Sequence, residues 1–332
     1  MIGAAVAERS LTLVHDEAKR DKTLRRFHRD DRIFKAVTLA SAVTVLVLLA
    51  GVMIALLHGS LPAWRAFGFG FFTSESWNPV TEKFGALPAI YGTLLTSFIA
   101  MLIGVPISLG IAIFLTEICP DRLRRSIGIA IELLAGIPSI IYGIWGLFVF
   151  APWFQSHVQP LLIDTFANIP VLNSLFAGPP YGIGMLTAGL ILAIMVLPFI
   201  TSITREVFET VPPVLKEAAY GIGCTRWEVM RRVVIPYTRV GIIGGVMLGL
   251  GRALGETMAV TFVIGNAHRI MPSILAPGTT ISASIANEFT EATGELYTSS
   301  LIALGLILFL ITFIVLAVAR LMLMRIAMKA GN

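Results

Sequence analysis

Long apolar stretches alternate with shorter polar segments along the whole chain. Six stretches reach the roughly 20 residues that a helix needs to cross the hydrocarbon core of a bilayer. Their apolar residues are continuous rather than alternating, which favours helices over the strands of a membrane barrel. The pattern therefore predicts an all-α, polytopic membrane protein with six transmembrane helices, near residues 36–57, 90–116, 127–150, 182–204, 240–264 and 300–324.

Composition and charge support this prediction and orient the helices. Hydrophobic residues make up 56% of the 332 residues and charged residues 14%, against about 25% charged residues in soluble domains. Of the 25 Lys and Arg residues, 21 lie before residue 36, in loops 117–126 and 205–239, and at the C-terminal end. Because basic loops stay cytoplasmic, both termini are expected to be cytoplasmic. The same distribution explains the pI of about 9.4 without a nucleic-acid partner.

The N-terminal segment is polar and of mixed charge. It is expected to be mobile or loosely helical, with its basic side against anionic membrane lipid. The apolar run behind it begins too late and is too long for a cleaved signal peptide. The predicted organisation is a cytoplasmic tail, a first transmembrane helix with an outer loop, a five-helix core and a cytoplasmic C-terminal end, at residues 1–35, 36–87, 88–320 and 321–332.

A few isolated polar residues have ordinary explanations. Glu117 and Glu132 fall near helix ends and are expected to face the headgroups, and His268 is expected to be a surface histidine of an outer loop. Cys119 and Cys224 are too isolated for a disulfide or metal site. Neither a catalytic site nor a metal site is predicted.

The cytoplasmic loop 205–239 predicts two short helices joined by a glycine turn. Pro212 and Pro213 favour a helix start, and Gly221 and Gly223 favour its end. The loop is therefore expected to form an organised platform rather than a simple connection.

The second helix of this platform has its own start and stop signals. Thr225 and Glu228 form the T-x-x-E pattern of a capping box, and Pro236 is expected to end the helix before the fifth span. An ordinary re-entry loop is the plainer interpretation of the same residues.

The fifth span carries two charges, in the stretch GRALGETMAV at 251–260. At 100° per residue, Arg252 and Glu256 share a helix face with three glycines at four-residue spacing, Gly241, Gly245 and Gly249. Glycines at this spacing let another helix approach closely. The charged pair either neutralises itself as an i, i+4 pair or lines a path for a protonated oxyanion, because arginine offers a planar fork of donors.

The platform loop resembles the EAA loop of ABC importer permeases. The resemblance rests on Glu217-Ala218-Ala219, on Gly223 and on the stretch from Val233 to Pro236, with Val233 and Ile235 as apolar departures from the usual pattern. It implies the type I ABC importer permease fold and a coupling helix that docks into a separate ATP-hydrolysing subunit. The coupling residues it implies are Glu217, Ala218, Ala219, Gly221 and Gly223.

A narrower resemblance, to PstC-type permeases of phosphate-specific Pst importers, rests on GRALGETMAV, on AGIPSIIYGIWG at 135–146 and on FGALPAIYGTLLTS at 84–97. It implies a non-enzymatic permease subunit of a bacterial inner membrane. The implied partners are a homologous PstA-like permease, two ATPase subunits that bind ATP and Mg, and a periplasmic phosphate-binding protein. The chain itself has no phosphate-cradling G-x-x-x-x-G-K-[ST] loop and no cofactor is expected in it. A permease for molybdate or phosphonate, an ion-coupled carrier and a phosphate-status scaffold are the alternatives.

Overall fold

The protein is helical throughout the part that the computed structural model describes. That part comprises residues 2–330, with side-chain surroundings for residues 27, 30–321, 323 and 324. No β-strand forms within it, although isolated bridges join Asn78 to Lys83 and Gly265 to Gly278. Contacts divide the chain into two compact units, Met1–His58 and Gly59–Asn332.

The first unit is helical. Helix α1, Ile2–Phe67, begins in this unit and includes the predicted tail. Of the two expectations for the tail, the helical one agrees with the structure over its described residues. The part of α1 from Asp30 to Phe67 is long and apolar enough to cross a membrane.

The second unit contains the remaining helices within the described residues. They are α2 Gly70–Thr73, α3 Leu87–Ile113, α4 Asp121–Ala135, α5 Ser139–Trp145, α6 Ala151–Trp153, α7 Gln159–Phe166, α8 Pro170–Phe176, α9 Met185–Glu209, α10 Pro213–Gly221, α11 Arg226–Val229, α12 Ile235–Gly255, α13 Met258–Val263, α14 Ile281–Glu288 and α15 Glu295–Ala330. Four single π-helical turns extend or connect some of these helices, at Phe114–Ile118, Gly146–Phe150, Phe154–Val158 and Met230–Val234.

Among residues 2–330, five helices have the length and composition of a membrane span. They are Asp30–Phe67, Leu87–Ile118, Met185–Glu209, Arg226–Gly255 and Glu295–Leu321, and the number is six if one bent pair counts as a span. The number of spans therefore equals the six predicted ones only if the two helices of the bent pair together form one span.

In the predicted third span, 127–150, the residues Gly136, Pro138 and Ser139 predict a bend, and the bent pair confirms it. Asp121–Ala135 and Ser139–Phe166 meet at 89°. Pro138 precedes the second helix and has extended backbone, with ψ 137. The residue before a proline is disfavoured in helical conformation, so the helix stops near Gly136 and restarts in a new direction.

The fifth span also differs from the prediction of 240–264. Its helix runs from Arg226 to Gly255, so Pro236 does not end a helix. Pro236 lies in the first turn of α12, immediately after the π turn Met230–Val234. A missing backbone N–H is tolerated there, because a π turn already interrupts the regular hydrogen-bond ladder.

Helix α9 lies at the centre of the second unit. It packs against α3, α4, α12 and α13, and its residues Ile191, Leu192, Val196 and Ile200 are at most 1% exposed. Burial of these side chains among apolar partners supplies the main packing energy that holds the helices together.

Candidate translocation and coupling sites

The first half of the platform predicted in loop 205–239 is α10. Pro212 precedes it in extended conformation and Pro213 occupies its first turn. The helix ends at Gly221, and Gly223 then adopts a left-handed φ of +87. The amide of Gly223 donates to the Tyr220 carbonyl at 2.9 Å. Gly223 therefore reverses the chain in a conformation that other residues adopt only with strain.

The residues expected to contact an ATPase divide by exposure. Ala219 is buried, whereas Glu217, Ala218, Gly221 and Gly223 are exposed. The outer surface around them also carries exposed large apolar side chains, namely Val214, Tyr220, Ile222 and Trp227. Ala219 thus attaches α10 to the chain's own core, and the other four residues lie on the free surface of the platform.

The second half of the platform begins with the predicted capping box. The Thr225 amide donates to Glu228 Oε2 at 2.9 Å, and the Glu228 amide donates to Thr225 Oγ1 at 3.3 Å. This reciprocal pair satisfies two amides that a helix start would otherwise leave free. The prediction of a helix, a glycine turn and a capped second helix is confirmed.

Two acidic residues that were expected to face the headgroups form ion pairs. Glu117 is mostly buried and accepts from Lys216 Nζ at 2.6 Å, and Glu132 accepts from Arg205 Nη2 at 2.9 Å. Burial raises the pKa of Tyr220, and the nearby Glu117 carboxylate raises it further. The inner ends of the helices are therefore joined by specific ion pairs that their spacing in the sequence does not reveal.

Arg252 and Glu256 occupy different local structures. Arg252 lies in the last turn of α12, is exposed, and places its guanidinium carbon 5.9 Å from the centre of the Phe199 ring. Glu256 is the first residue beyond the helix, with ψ 130. Its Oε1 accepts from the Ala259 amide of α13 at 3.3 Å.

The predicted i, i+4 pair is therefore not formed. Among the described residues no ion pair joins Arg252 to Glu256. The reason is that the backbone leaves the helix at Glu256, so the two side chains no longer share a helical face. The helix pattern correctly placed Arg252 but not Glu256.

The glycine stripe of α12 packs against α9 of the same chain. An added Cβ would lie 2.5 Å from Val207 Cγ1 at Gly241, 2.9 Å from Ile203 Cγ2 at Gly245, and 2.7 Å from Ile200 Cγ1 at Gly249. The close approach predicted from the spacing is present. Its partner is a neighbouring helix within the chain.

A polar cluster in the outer loops has no counterpart in the sequence prediction. Glu288 Oε1 lies 2.6 Å from His268 Nε2, and Glu288 Oε2 accepts from Trp77 Nε1 at 2.6 Å and from the Tyr297 hydroxyl at 2.7 Å. The rings of Trp77 and His268 stack at 5.1 Å. The expectation that His268 is an ordinary surface residue is wrong, because only 16% of its side chain is exposed.

Two effects oppose each other at Glu288. Burial is the larger single effect and would raise the pKa of its carboxyl, but hydrogen bonds from His268, Tyr297 and Trp77 together lower it below the ordinary value. The cluster therefore holds a carboxylate anion. Its four members come from distant parts of the chain, so no local motif could have identified it.

Most of the chain matches a single protein family. Residues 31–327 match the family described as the binding-protein-dependent transport system inner membrane component. The chain belongs to this family. Within it the chain is a PstC-type permease, as the resemblance of its sequence motifs predicted.

Curated relatives of this permease share one name. The phosphate transport system permease protein PstC of Mesorhizobium japonicum is 72% identical over 95% of this chain and 96% of its own length. PstC of Haemophilus influenzae is 54% identical over 91% of this chain and 96% of its own length. PstC 1 of Mycobacterium tuberculosis is 41% identical over 82% of this chain and 86% of its own length.

Solved structures support the fold. A bacterial ABC transporter involved in the import of the acidic polysaccharide alginate aligns with a TM-score of 0.60 at 18% identity, over 91% of this chain and 98% of the other. The same transporter type in complex with an alginate-bound periplasmic protein also gives 0.60, at 20% identity, over 90% and 96%. The permease therefore has the predicted type I ABC importer fold. Its apolar helices and its family, an inner membrane component of binding-protein-dependent transport, make it a multi-pass membrane protein.

Proposed function

We propose that this chain is the permease subunit of an ATP-driven phosphate importer in a bacterial inner membrane. The observation that carries the proposal is the stretch GRALGETMAV, in which a span ends beside Arg252, an exposed guanidinium with no ion pair among the described residues. The names of the three relatives described above, phosphate transport system permease proteins of the PstC type, support phosphate as the substrate.

Arg252 fits an anion path on physical grounds. An uncompensated charge at the centre of a membrane helix costs about 2.5–3.5 kcal/mol in insertion, so such residues face protein, water or substrate. The helix is also interrupted directly after Arg252, between Gly255 and Met258. Non-helical backbone at membrane depth is tolerated where it is buried in protein or lines a polar cavity.

Recognition of phosphate would then divide between two side chains. The guanidinium of Arg252 keeps its charge and presents paired donors to phosphate oxygens. The side chain of Glu256 lies next to the same helix break, and its oxygens would accept a hydrogen bond from a protonated phosphate oxygen, which fully ionised sulfate lacks. The chain performs no covalent chemistry in this scheme.

Coupling to ATP would run through the exposed surface of α10. We assign Glu217, Ala218, Gly221 and Gly223 to contact with an ATPase subunit, and Ala219 to anchoring the helix from inside. Two ATPase subunits would bind ATP and Mg, a homologous PstA-like permease would complete the path, and a periplasmic phosphate-binding protein would deliver the substrate. The distribution of Lys and Arg supports placing α10 and both termini in the cytoplasm.

Uptake of labelled phosphate in a host without its own importer tests the proposal. The permease is expressed with its three partners, and ATP is depleted while the proton gradient is kept intact. Uptake is expected to stop, and to stop also when the binding protein is omitted. Continued uptake without ATP would indicate an ion-coupled carrier, and stronger competition by molybdate or phosphonate than by unlabelled phosphate would indicate another oxyanion.

A further inference from the structure

Three cations from three separate helices converge on the cytoplasmic end of the span Leu87–Ile118. Arg124 of α4 donates from Nη2 to the carbonyls of Thr116 and Cys119 at 3.3 and 3.5 Å. Arg226 of α11 donates to the Glu117 carbonyl at 3.4 Å. The Nζ of Lys216, on α10, lies 2.6 Å from Glu117 Oε1.

The position of these cations has a physical cause. The last carbonyls of a helix lack partners within the helix and carry the negative end of its dipole, so cations stabilise that end. Glu117 adds a full negative charge in the π turn that closes this span. Its side chain is 11% exposed and that of Lys216 is 22% exposed. Water therefore screens this pair less than a surface pair, and the contact is directional.

The connectivity of the chain makes this contact distinctive. Residues 210–212 join α10 to the span Met185–Glu209. Residues 222–225 join α10 to α11, with which the span Arg226–Gly255 begins. The span Leu87–Ile118 has no such covalent link to α10. It touches the platform through an apolar cluster that includes Ala112, Ala219 and Met230, and through the ion pair between Glu117 and Lys216.

We propose that Glu117 is a positioning residue that fixes the end of the span Leu87–Ile118 to α10, so that movement of α10 is delivered to this span. The proposal rests on the proposed function, in which α10 is the element that an ATPase moves. An apolar contact can slide as α10 moves, whereas a shielded ion pair with one short hydrogen bond keeps its two ends together. Arg226 and Arg124 would hold the adjoining carbonyls in the same arrangement.

The test uses the assembled complex of both permeases, the ATPase subunits and the binding protein in proteoliposomes. Glu117→Gln removes the charge, and the double variant Glu117→Gln with Lys216→Gln also avoids leaving an unpaired, partly buried lysine. Glu132→Gln is the matched control, because it removes a comparable ion pair with Arg205 that does not involve α10. The measurements are ATPase co-purification, ATP hydrolysis, phosphate moved per ATP, and hydrogen exchange of residues 114–119 with and without ATP.

We expect both Glu117 variants to retain the ATPase subunits and to hydrolyse ATP. We also expect the phosphate moved per ATP to fall about fivefold or more, and the ATP-dependent change in hydrogen exchange at 114–119 to disappear. The Glu132→Gln control should keep the parental amount of phosphate moved per ATP and the ATP-dependent change in hydrogen exchange. An unchanged exchange response, an unchanged transport ratio, or a double variant that no longer assembles would each overturn the positioning role. If the parental complex moves no phosphate, the proposed function fails, while the exchange measurement still decides the role of Glu117.

Discussion

Arg252 and Glu256 show how a backbone break separates two residues that a helical pattern joins. Arg252 lies in the last turn of α12. Its guanidinium contacts the Phe199 ring, a contact of the cation–π kind. Glu256 is already outside the helix and caps an amide of α13. Each charge therefore has its own surroundings, and mutual neutralisation does not explain their presence.

Arg252→Gln is expected to abolish phosphate uptake while the permease stays in the membrane. Arg252→Lys should recover only part of the uptake, since an ammonium group lacks the paired donors of a guanidinium. Membrane abundance and labelled phosphate uptake, measured on the same cells, check both expectations.

Combining Arg252→Gln with Glu256→Gln separates a path role from a structural one. If the charges served only to balance each other, removing both would restore assembly and transport together. We expect the double variant to assemble and still not transport. Uptake at the parental rate would contradict the path role of both residues.

Gly223 is a second position where one residue decides a function at a distance. The φ of Gly223 is +87, and a Cβ added there would meet no atom within 4 Å. Gly223→Asp is therefore disfavoured by the backbone conformation and not by crowding. Strain of about 1–3 kcal/mol should displace the α10 turn and reduce ATPase co-purification, while the permease still inserts. Gly223→Ala, which brings the same backbone strain without a charge, is the control for added charge. A Gly223→Ala variant that keeps the ATPase while Gly223→Asp loses it would point to charge instead of the turn.

At the scale of elements, two of the predicted spans are interrupted. The bend between α4 and α5 lies at residues 136–138, and the break between α12 and α13 lies at residues 256–257. Hydropathy does not register either interruption, because the apolar run continues through both. The glycine spacing in α12, by contrast, correctly indicates a face that another helix approaches closely.

The glycine face of α12 gives a matched pair of substitutions. Gly249→Ala would place a Cβ 2.7 Å from Ile200 Cγ1, whereas Gly244→Ala on the same helix meets nothing within 4 Å. Because Ile200 is fully buried, the first change should cost about 1–3 kcal/mol through overpacking. The second should be neutral or slightly stabilising, since alanine favours a helix more than glycine does.

Thermal unfolding of the purified permease in detergent measures this difference. Ile200→Ala should lower the Tm less in the Gly249→Ala background than in the Gly244→Ala background, because it makes room for the added methyl group only in the former. If Gly249→Ala and Gly244→Ala had the same Tm, the close contact between α9 and α12 would not exist in the folded protein.

At the scale of the whole molecule, the outer cluster ties together segments far apart in the chain. Trp77, His268, Glu288 and Tyr297 come from the loop after α2, the segment after α13, α14 and the start of α15. A half-buried carboxylate with three donors is a strong contact, because removing it leaves buried donors without an acceptor.

This cluster predicts a pH dependence of stability. The folded pKa of Glu288 lies below its ordinary value of 4.5, so its stabilisation is present above that pH and is lost as the pH falls through the lowered pKa. Glu288→Gln should therefore lower the Tm at pH 7, and the difference from the parent should shrink as the pH falls below 4.5.

Glu291→Gln is the control, because Glu291 is close in sequence and exposed. It should change the Tm little at any pH. A gap between parent and Glu288→Gln that stays constant, or widens, below pH 4.5 would show that the carboxylate does not stabilise the fold in this way.

The sequence by itself determined the class of protein, the approximate spans, the two-helix platform with its capping box, and the family. These features depend on residues close together along the chain, where length, apolar content and cap chemistry act locally. Tertiary structure decided the rest. It ended α12 before Glu256, paired Glu117 with Lys216, and gathered Trp77, His268 and Tyr297 around the Glu288 carboxylate. Those outcomes depend on which distant side chains meet, and meetings between distant residues leave no periodic trace in the sequence.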